Sequence, residues 1–278
     1  MLRFETSSLL DVCRGTVEDI HAELKRLPTR FEREKVLGQG QGGDETTQID
    51  AAAEQAVVRR LEVLQGIGFT LVSEELGEKT FGAGGPTRVV VDPIDGSINA
   101  KRGIPFFSFS LAAAEGETMR DVVFGYVYDF GSGEEWTARR GEGAWLNGEP
   151  IGAVKPKDEI ELLAFEATET AQIADRASAV VGFAKRLRIM GSLALSLCHL
   201  ADGRVDAVCS LKPARSIDVA AGQLLVREVG LAVEFVDVDA DGVVISFLDS
   251  ALDLESRSRI AAAGTAELCQ ALSERLRS

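Results

Sequence analysis

The chain has 278 residues, 44 of them acidic and 30 basic, for a formal charge of −14. That balance argues against a direct nucleic-acid binder, because neutralising phosphates needs a basic surface. Hydrophobic residues at 45% and charged residues at 27% describe a folded chain rather than a disordered one, long enough for one large domain or two that share an interface.

Apolar residues Leu9, Leu10, Val12, Cys13, Val17, Ile20 and Leu24 recur at helical spacing and predict a helix over 6–27. LGQGQGGD (37–44) reads as a glycine-rich loop. A second helix is predicted over 47–65, opening on a capping-box-like Thr47-Gln-Ile-Asp50 with Ile49, Ala53, Val57, Leu61 and Leu64 on one stripe. The period then changes. Strands are predicted at 69–72, 88–91, 106–114 and 122–128, with a loop at 79–87 and a turn at 115–117. The second half carries predicted strands at 162–165, 189–190, 207–211 and 233–236. Its predicted helices cover 192–201, 219–229 and 266–276, with Gly230 where a helix-ending glycine belongs. The order predicts an α/β protein with helices and strands mixed in layers, in two halves, 1–142 and 143–278, that share a cleft.

Two histidines, His21 and His199, stand far apart in sequence and exclude a multi-histidine metal site. Cys13, Cys198, Cys209 and Cys269 contain no C-x-x-C pair, so free thiols in a reducing cytosol are expected rather than a zinc or redox motif. No apolar run approaches the roughly 18 residues of a membrane span. The start, MLRFETSSLLDVCRG, lacks a signal-peptide core, and a cytoplasmic protein without membrane contact is expected.

The chemistry concentrates in Asp92-Pro93-Ile94-Asp95-Gly96-Ser97. An apolar strand delivers two aspartates, three apart, at its C-terminal end. With the Ile94 carbonyl between them they form a ligand set for hard, oxygen-preferring cations such as magnesium. Alone, the motif reads equally as a tight turn. Glu74-Glu75 follow another short apolar strand, where a solvated loop is the plain alternative. Asp218 precedes a run of small residues that opens a helix, where it also reads as an N-cap. Asp44, between the glycine loop and a helix, has the same two readings.

Together these residues resemble the inositol monophosphatase family of the magnesium-dependent, lithium-sensitive phosphatase superfamily. SEELGE (73–78), VVDPIDGSIN (90–99), YVYDFGSGEEWTARRGEGAWLNGEPI (126–151) and SIDVAAGQLLVREVG (216–230) carry the resemblance, in order, from about residue 44 to the C-terminus. It implies a layered α-β-α-β-α sandwich of the sugar-phosphatase type, a homodimer, and hydrolysis of a small phosphate ester. It also implies two or three bound Mg²⁺ ions, with Mn²⁺ as a possible substitute. Carried over, Glu74, Asp92 and the Ile94 carbonyl hold one metal, and Asp92, Asp95 and Asp218 a second. A third, weaker ion touches the glutamate; the role of Glu75 is left open. Ser97, in place of the family's usual Thr, holds the attacking water with Asp44 behind it as proton acceptor and Glu74 sharing the base role. The Gly96 and Ser97 N–H groups hold the phosphate.

Gly191 and Ser192 match positions where the family contacts the substrate. Two departures bear on which substrate. Ile217 stands where animal-type inositol phosphatases have tryptophan before the last aspartate, and Ser210 where they have an inositol-binding glutamate. Lys212-Pro-Ala-Arg215, with Lys185, Arg186 and Arg188 upstream, offers a basic cluster instead. Arg215 to Gly222 is similar to the archaeal-type branch that accepts both inositol phosphate and fructose 1,6-bisphosphate, and Lys212 and Arg215 would serve a second phosphate. A solvated basic face is the alternative. A 3′-phosphoadenosine 5′-phosphate phosphatase and a non-catalytic regulatory relative are the competing readings. Trp136, Trp145 and His199 are expected to pack rather than to react.

Overall fold

In the computed structural model the predicted stripe Leu9, Val12, Cys13, Val17 and Ile20 of the first helix, α1 (Thr6–Arg26), faces inward. The structure describes residues 6–277 except 42, 44, 154, 156, 158, 167, 168 and 240. A short helix, α2 (Arg30–Arg33), follows. The glycine-rich stretch expected as a loop is partly a hairpin, because β1 (Val36–Gln39) pairs antiparallel with β2 (Glu45–Thr47). Helix α3 (Gln48–Leu61) starts at the predicted capping box: the Asp50 carboxylate accepts the Thr47 N–H (3.0 Å) and hydroxyl (2.6 Å). α1 and α3 pack together as the outermost layer.

The first sheet is built from β3 (Phe69–Ser73), β4 (Gly77–Phe81), β5 (Arg88–Asp95), then, after the short helix α4 (Ser97–Arg102), β6 (Ser108–Ala114), β7 (Val122–Asp129), β8 (Glu135–Arg139), β9 (Gly143–Leu146) and β10 (Glu149–Pro150). Its eight strands lie in the order β10-β9-β8-β7-β6-β5-β3-β4. Every neighbouring pair is antiparallel except β3 and β5. β4 occupies the first residues of the expected 79–87 loop, because Phe81 pairs with Phe69 and their rings stack at 4.8 Å. Side chains alternate across the sheet. Val89, Val91, Phe109, Leu111 and Tyr126 face α1 and α3, while Val90, Ala112, Val127 and Trp136 face the other way.

The second sheet takes β11 (Ile160–Glu166), β12 (Ala184–Arg188), which follows helix α5 (Thr170–Ala177), and, beyond helix α6 (Leu193–Ala201), β13 (Ala207–Ser210). A two-residue strand, β14 (Ala214–Arg215), leads into helix α7 (Ser216–Glu228). Strands β15 (Ala232–Phe235), β16 (Arg257–Ser258) and β17 (Ile260–Ala263) and helix α8 (Ala266–Arg277) complete the chain. The sheet order is β12-β11-β13-β17-β15, parallel over the first three strands and antiparallel after them; β14 pairs with β16 separately. The strand expected at 189–190 lies earlier, as β12, and residues 189–190 lead into α6 instead. The first sheet runs through Pro150 and the second begins at Ile160, so the change of sheet falls beyond the 142/143 division.

Helices α6 and α7 fill the space between the sheets. Leu195, Leu197, Leu200, Leu224 and Leu225 join one buried cluster with Val90 and Trp136 of the first sheet and Ala164, Val208 and Ala262 of the second. The far face of the second sheet, with Leu163, Phe165 and Cys209, is covered by Cys269, Leu272 and Leu276 of α8. The layers are therefore α/β/α/β/α. Trp136 is fully buried and donates its indole N–H to Asp202 at 3.2 Å, and His199 packs its ring on Phe106 and Trp136.

Close approach of the central layer to the first sheet depends on Gly125 in β7. A Cβ there would stand 2.9 Å from the Ala221 carbonyl oxygen and 3.3 Å from its Cα. Backbone on both sides cannot give way cheaply. Gly125→Ala is expected to cost about 1–3 kcal/mol, read as a lower urea midpoint with unchanged slope.

Candidate active site

β3 and β5 are parallel neighbours with Ser73 opposite Val91, so both strands end at the same edge of the sheet. That places Glu74 and Glu75, just after β3, beside Asp92 and Asp95 at the end of β5. The sequence pattern ended this strand at Val91, before Asp92-Pro93. The structure carries it to Asp95, with a break in register between Asp92 and Asp95 against β6. A bulge of this kind accommodates the proline, which has no N–H to donate, and re-aims the flanking side chains. Asp92 accepts the Ile94 N–H at 3.0 Å. α7 packs across β5, β6, β7 and β8 and brings its first turn to the same edge. There Asp218 accepts the Arg215 backbone N–H at 2.8 Å.

One cleft of about 610 Å³ is lined by Glu74, Glu75, Asp92, Ile94, Asp95, Gly96, Ser97, Gly191, Ser210, Lys212, Arg215 and Asp218 together. Gly96 has φ +89, and a Cβ there would meet the Gly191 carbonyl oxygen at 2.9 Å, so this turn requires glycine. Ser97 opens α4 immediately after it. The Gly191 N–H is taken by Glu166 at 2.9 Å. Ser192, expected on the substrate, is buried. Its hydroxyl donates to Asp95, and the Ala194 N–H donates to the same oxygen at 2.8 Å. Ser192 thus holds Asp95 rather than facing the cleft. Arg215 is turned onto the carboxylates, Nη1 2.7 Å from Glu74 Oε1 and Nη2 3.4 Å from Asp218 Oδ1. Lys185 and Arg186 pair with Glu159 and Glu161 on exposed surface, and with Arg188 they are absent from the lining. Asp44 lies outside the described residues.

Four residues of the neighbourhood were not anticipated as site residues. Asp50 lines the cleft at 6% exposure and pairs with Lys101, Nζ to Oδ2 3.0 Å. Its capping-box position was legible, but that role masked the second one. Glu166 lines the cleft from the end of β11. Glu54 lies behind Glu75, accepting the Ser73 hydroxyl at 2.7 Å. Nothing local in the sequence marks Lys101, Glu166 or Glu54, because their partners are distant along the chain.

The electrostatics are those of crowded, buried acids. Burial pushes the Glu74 carboxyl up to about 7, with Arg215 pulling down and Asp218 pushing up. Asp95 is also pushed up to about 7, by burial against the Ser192 hydrogen bond. Asp92 lies well above the usual carboxylate range through burial and the charges of Glu74, Asp95 and Asp218. Burial raises Glu54 to about 7. Among the described residues, no three or more His, Cys, Asp or Glu side chains are arranged to hold a metal ion as they stand. The donor set fits a hard cation nevertheless. It consists of carboxylate and carbonyl oxygens without thiolate or imidazole, and its mutual repulsion is what a divalent ion relieves.

An α/β/α/β/α sandwich with such a cleft beside a glycine turn is built to take a phosphate ester together with a hard cation, which defines a phosphatase of the metal-dependent class. The sequence profile of the inositol monophosphatase family matches residues 7–277, and the chain belongs to that family: it is a phosphoric monoester hydrolase. Phosphatases of this family are generally metal-dependent, typically on Mg²⁺. The chain is 35% identical to a fructose-1,6-bisphosphatase/inositol-1-monophosphatase of Thermococcus kodakarensis over 79% of its length and 81% of the relative's. To the protein of the same name from Archaeoglobus fulgidus it is 34% identical, over 91% and 92%. A solved structure, the MJ0109 gene product described as an inositol monophosphatase-fructose 1,6 bisphosphatase, superposes with a TM-score of 0.80 at 26% identity, covering 98% of this chain and 100% of that one. No helix among the described residues is long and apolar enough to cross a membrane.

Carboxyls raised from about 4 in the unfolded chain to about 7 when folded bind more protons in the folded state between those values. Their contribution to stability is present at low pH and is lost as pH rises through about 7. If these carboxyls hold the cation, magnesium would take the place of the lost protons. The rise in melting temperature when magnesium replaces chelator is therefore expected to be larger at pH 7.5 than at pH 5.5. Equal rises would detach these carboxyls from cation binding.

Proposed function

We propose that this phosphatase hydrolyses both fructose 1,6-bisphosphate and inositol 1-phosphate. The observation that carries the reading is the single cleft that gathers Glu74, Asp92, Asp95 and Asp218 from three separate segments with Lys212 on the same lining. The names of the archaeal relatives agree with it. Glu74, Asp92, the Ile94 carbonyl, Asp95 and Asp218 would hold two or three Mg²⁺ ions, or Mn²⁺. When bound, such ions neutralise phosphate oxygens and make water a better nucleophile near neutral pH. The Ser97 hydroxyl orients the attacking water. Its proton passes to a carboxylate of this chain, for which Asp50 is a third candidate beside Asp44 and Glu74. The Gly96 and Ser97 N–H groups steady the phosphate, and the Gly191 turn borders the sugar.

Lys212 supplies charge for a second phosphate, and Arg215 joins it once Glu74 and Asp218 are neutralised by cations. Among the described residues, the cleft lining contains no Phe, Tyr or Trp on which an adenine could stack, which favours a sugar over a nucleotide. All four metal-binding carboxylates are present, which speaks against a non-catalytic relative. The four cysteines are unpaired and buried, in keeping with a cytoplasmic protein. The homodimer belongs to the same proposal.

The test is phosphate release with magnesium from the two esters at equal concentration. Release from both is expected. Release from inositol 1-phosphate alone would remove Lys212 and Arg215 as second-phosphate contacts. Asp92→Asn is expected to lower kcat at least about 100-fold; unchanged release would overturn the metal assignment. Asp50→Asn, which keeps an acceptor oxygen for the helix cap, is expected to lower kcat on both esters with little change in melting temperature. Unaltered kcat returns the acceptor role to Asp44 or Glu74.

A further inference from the structure

A cleft with so many buried acids needs positive charge when no metal is bound, and the chain supplies some of it itself. Arg215 is only 9% exposed, and its guanidinium reaches Glu74 at 2.7 Å and Asp218 at 3.4 Å. Its backbone is held on both sides. It pairs with Arg257 across β14 and β16, and its N–H is donated to Asp218 at 2.8 Å. A planar fork of donors suits two carboxylates that converge from different elements. We propose that Arg215 is the resident counter-cation of the metal-free cleft and competes with magnesium for Glu74 and Asp218. This rests on the assignment of those two carboxylates as metal ligands.

The physical argument is exclusion. The guanidinium contacts one oxygen of each of two carboxylates that would hold a divalent ion, Oε1 of Glu74 and Oδ1 of Asp218. Magnesium on these carboxylates therefore competes with a buried ion pair, and removing one partner of such a pair leaves the other uncompensated. Arg215 thus has two consequences of opposite sign: it steadies the protein without metal and it weakens magnesium binding. A residue whose role was only to hold the fold would act in one direction, because its loss would loosen the site and weaken magnesium as well.

Wild type, Arg215→Met and Arg215→Lys are titrated calorimetrically with magnesium alone and melted in chelator. Arg215→Met is expected to bind magnesium at least about fivefold more tightly and to melt lower in chelator. Arg215→Lys, which keeps charge but loses the fork, should fall between, and it provides the reading if the methionine variant does not fold. Magnesium affinity equal to or weaker than wild type in the folded variants overturns the proposal. Phosphate release by wild type is followed in parallel. Release that persists in chelator would count against the metal-dependent reading itself. Magnesium-dependent release with unaltered affinity in the variants would overturn the role of Arg215 alone.

Discussion

The structure turns on the parallel pairing of β3 with β5. In a sheet that is otherwise antiparallel, this one pair sends two strand ends to the same edge, and each strand ends in acids. Were the pair antiparallel, Glu74 would lie at the opposite end of the sheet from Asp92 and Asp95. The crossover between β3 and β5 is short and is made by way of β4, which forms the sheet's edge and leaves the acidic end of β3 open to the cleft. α7 then supplies Asp218 from above the same edge, and its approach depends on small residues on both sides, Gly125 in the sheet and Ala221 in the helix.

Placing acids together in a partly buried cleft is unfavourable, and the surrounding layers carry that cost. Two hydrogen-bond donors at the start of α6 converge on one oxygen of Asp95, so the central layer is anchored to the site as well as to the core. Glu166, at a strand end of the second sheet, accepts the Gly191 N–H on one oxygen and the Ser196 hydroxyl on the other. The N-terminal end of α6 is thereby tied to one acid from each sheet. The carboxylates that hold the fold together and those that would hold cations are partly the same groups, and this is why the sequence shows them as helix caps and turn residues at first sight.

How much was legible follows from that overlap. Periodicity located the long helices and the central strands, because burial of one face imposes it. It missed β17, whose Ile260-Ala-Ala-Ala run is buried on both faces and carries no alternation. It ended β5 at Val91, where the apolar run stops, and the bulge opposite β6 lets the strand continue past Pro93 to Asp95. The Asp92-Pro-Ile-Asp95 pair was legible because its spacing is local. Asp50 was hidden by its helix-capping position, and Glu54, Lys101 and Glu166 by partners remote in sequence. Sequence position could not show that Ser192 lies behind Asp95 and that Arg215 lies on Glu74.

The same geometry explains how a protein of charge −14 handles an anionic substrate. Charge on the whole surface would repel a phosphate ester over distances set by salt screening, about 8 Å at physiological ionic strength. Inside the cleft the relevant charges are nearer than that, and they are exchangeable. Arg215 meets Glu74 and Asp218 and Lys101 meets Asp50 on the same cleft lining, so local charge there depends on which cations pair with these acids as well as on composition. A site whose own acids are first neutralised and then present cations outward turns a repulsive surface into an attractive one at a single place. The acidic exterior then discriminates against anions everywhere except where the cleft is loaded.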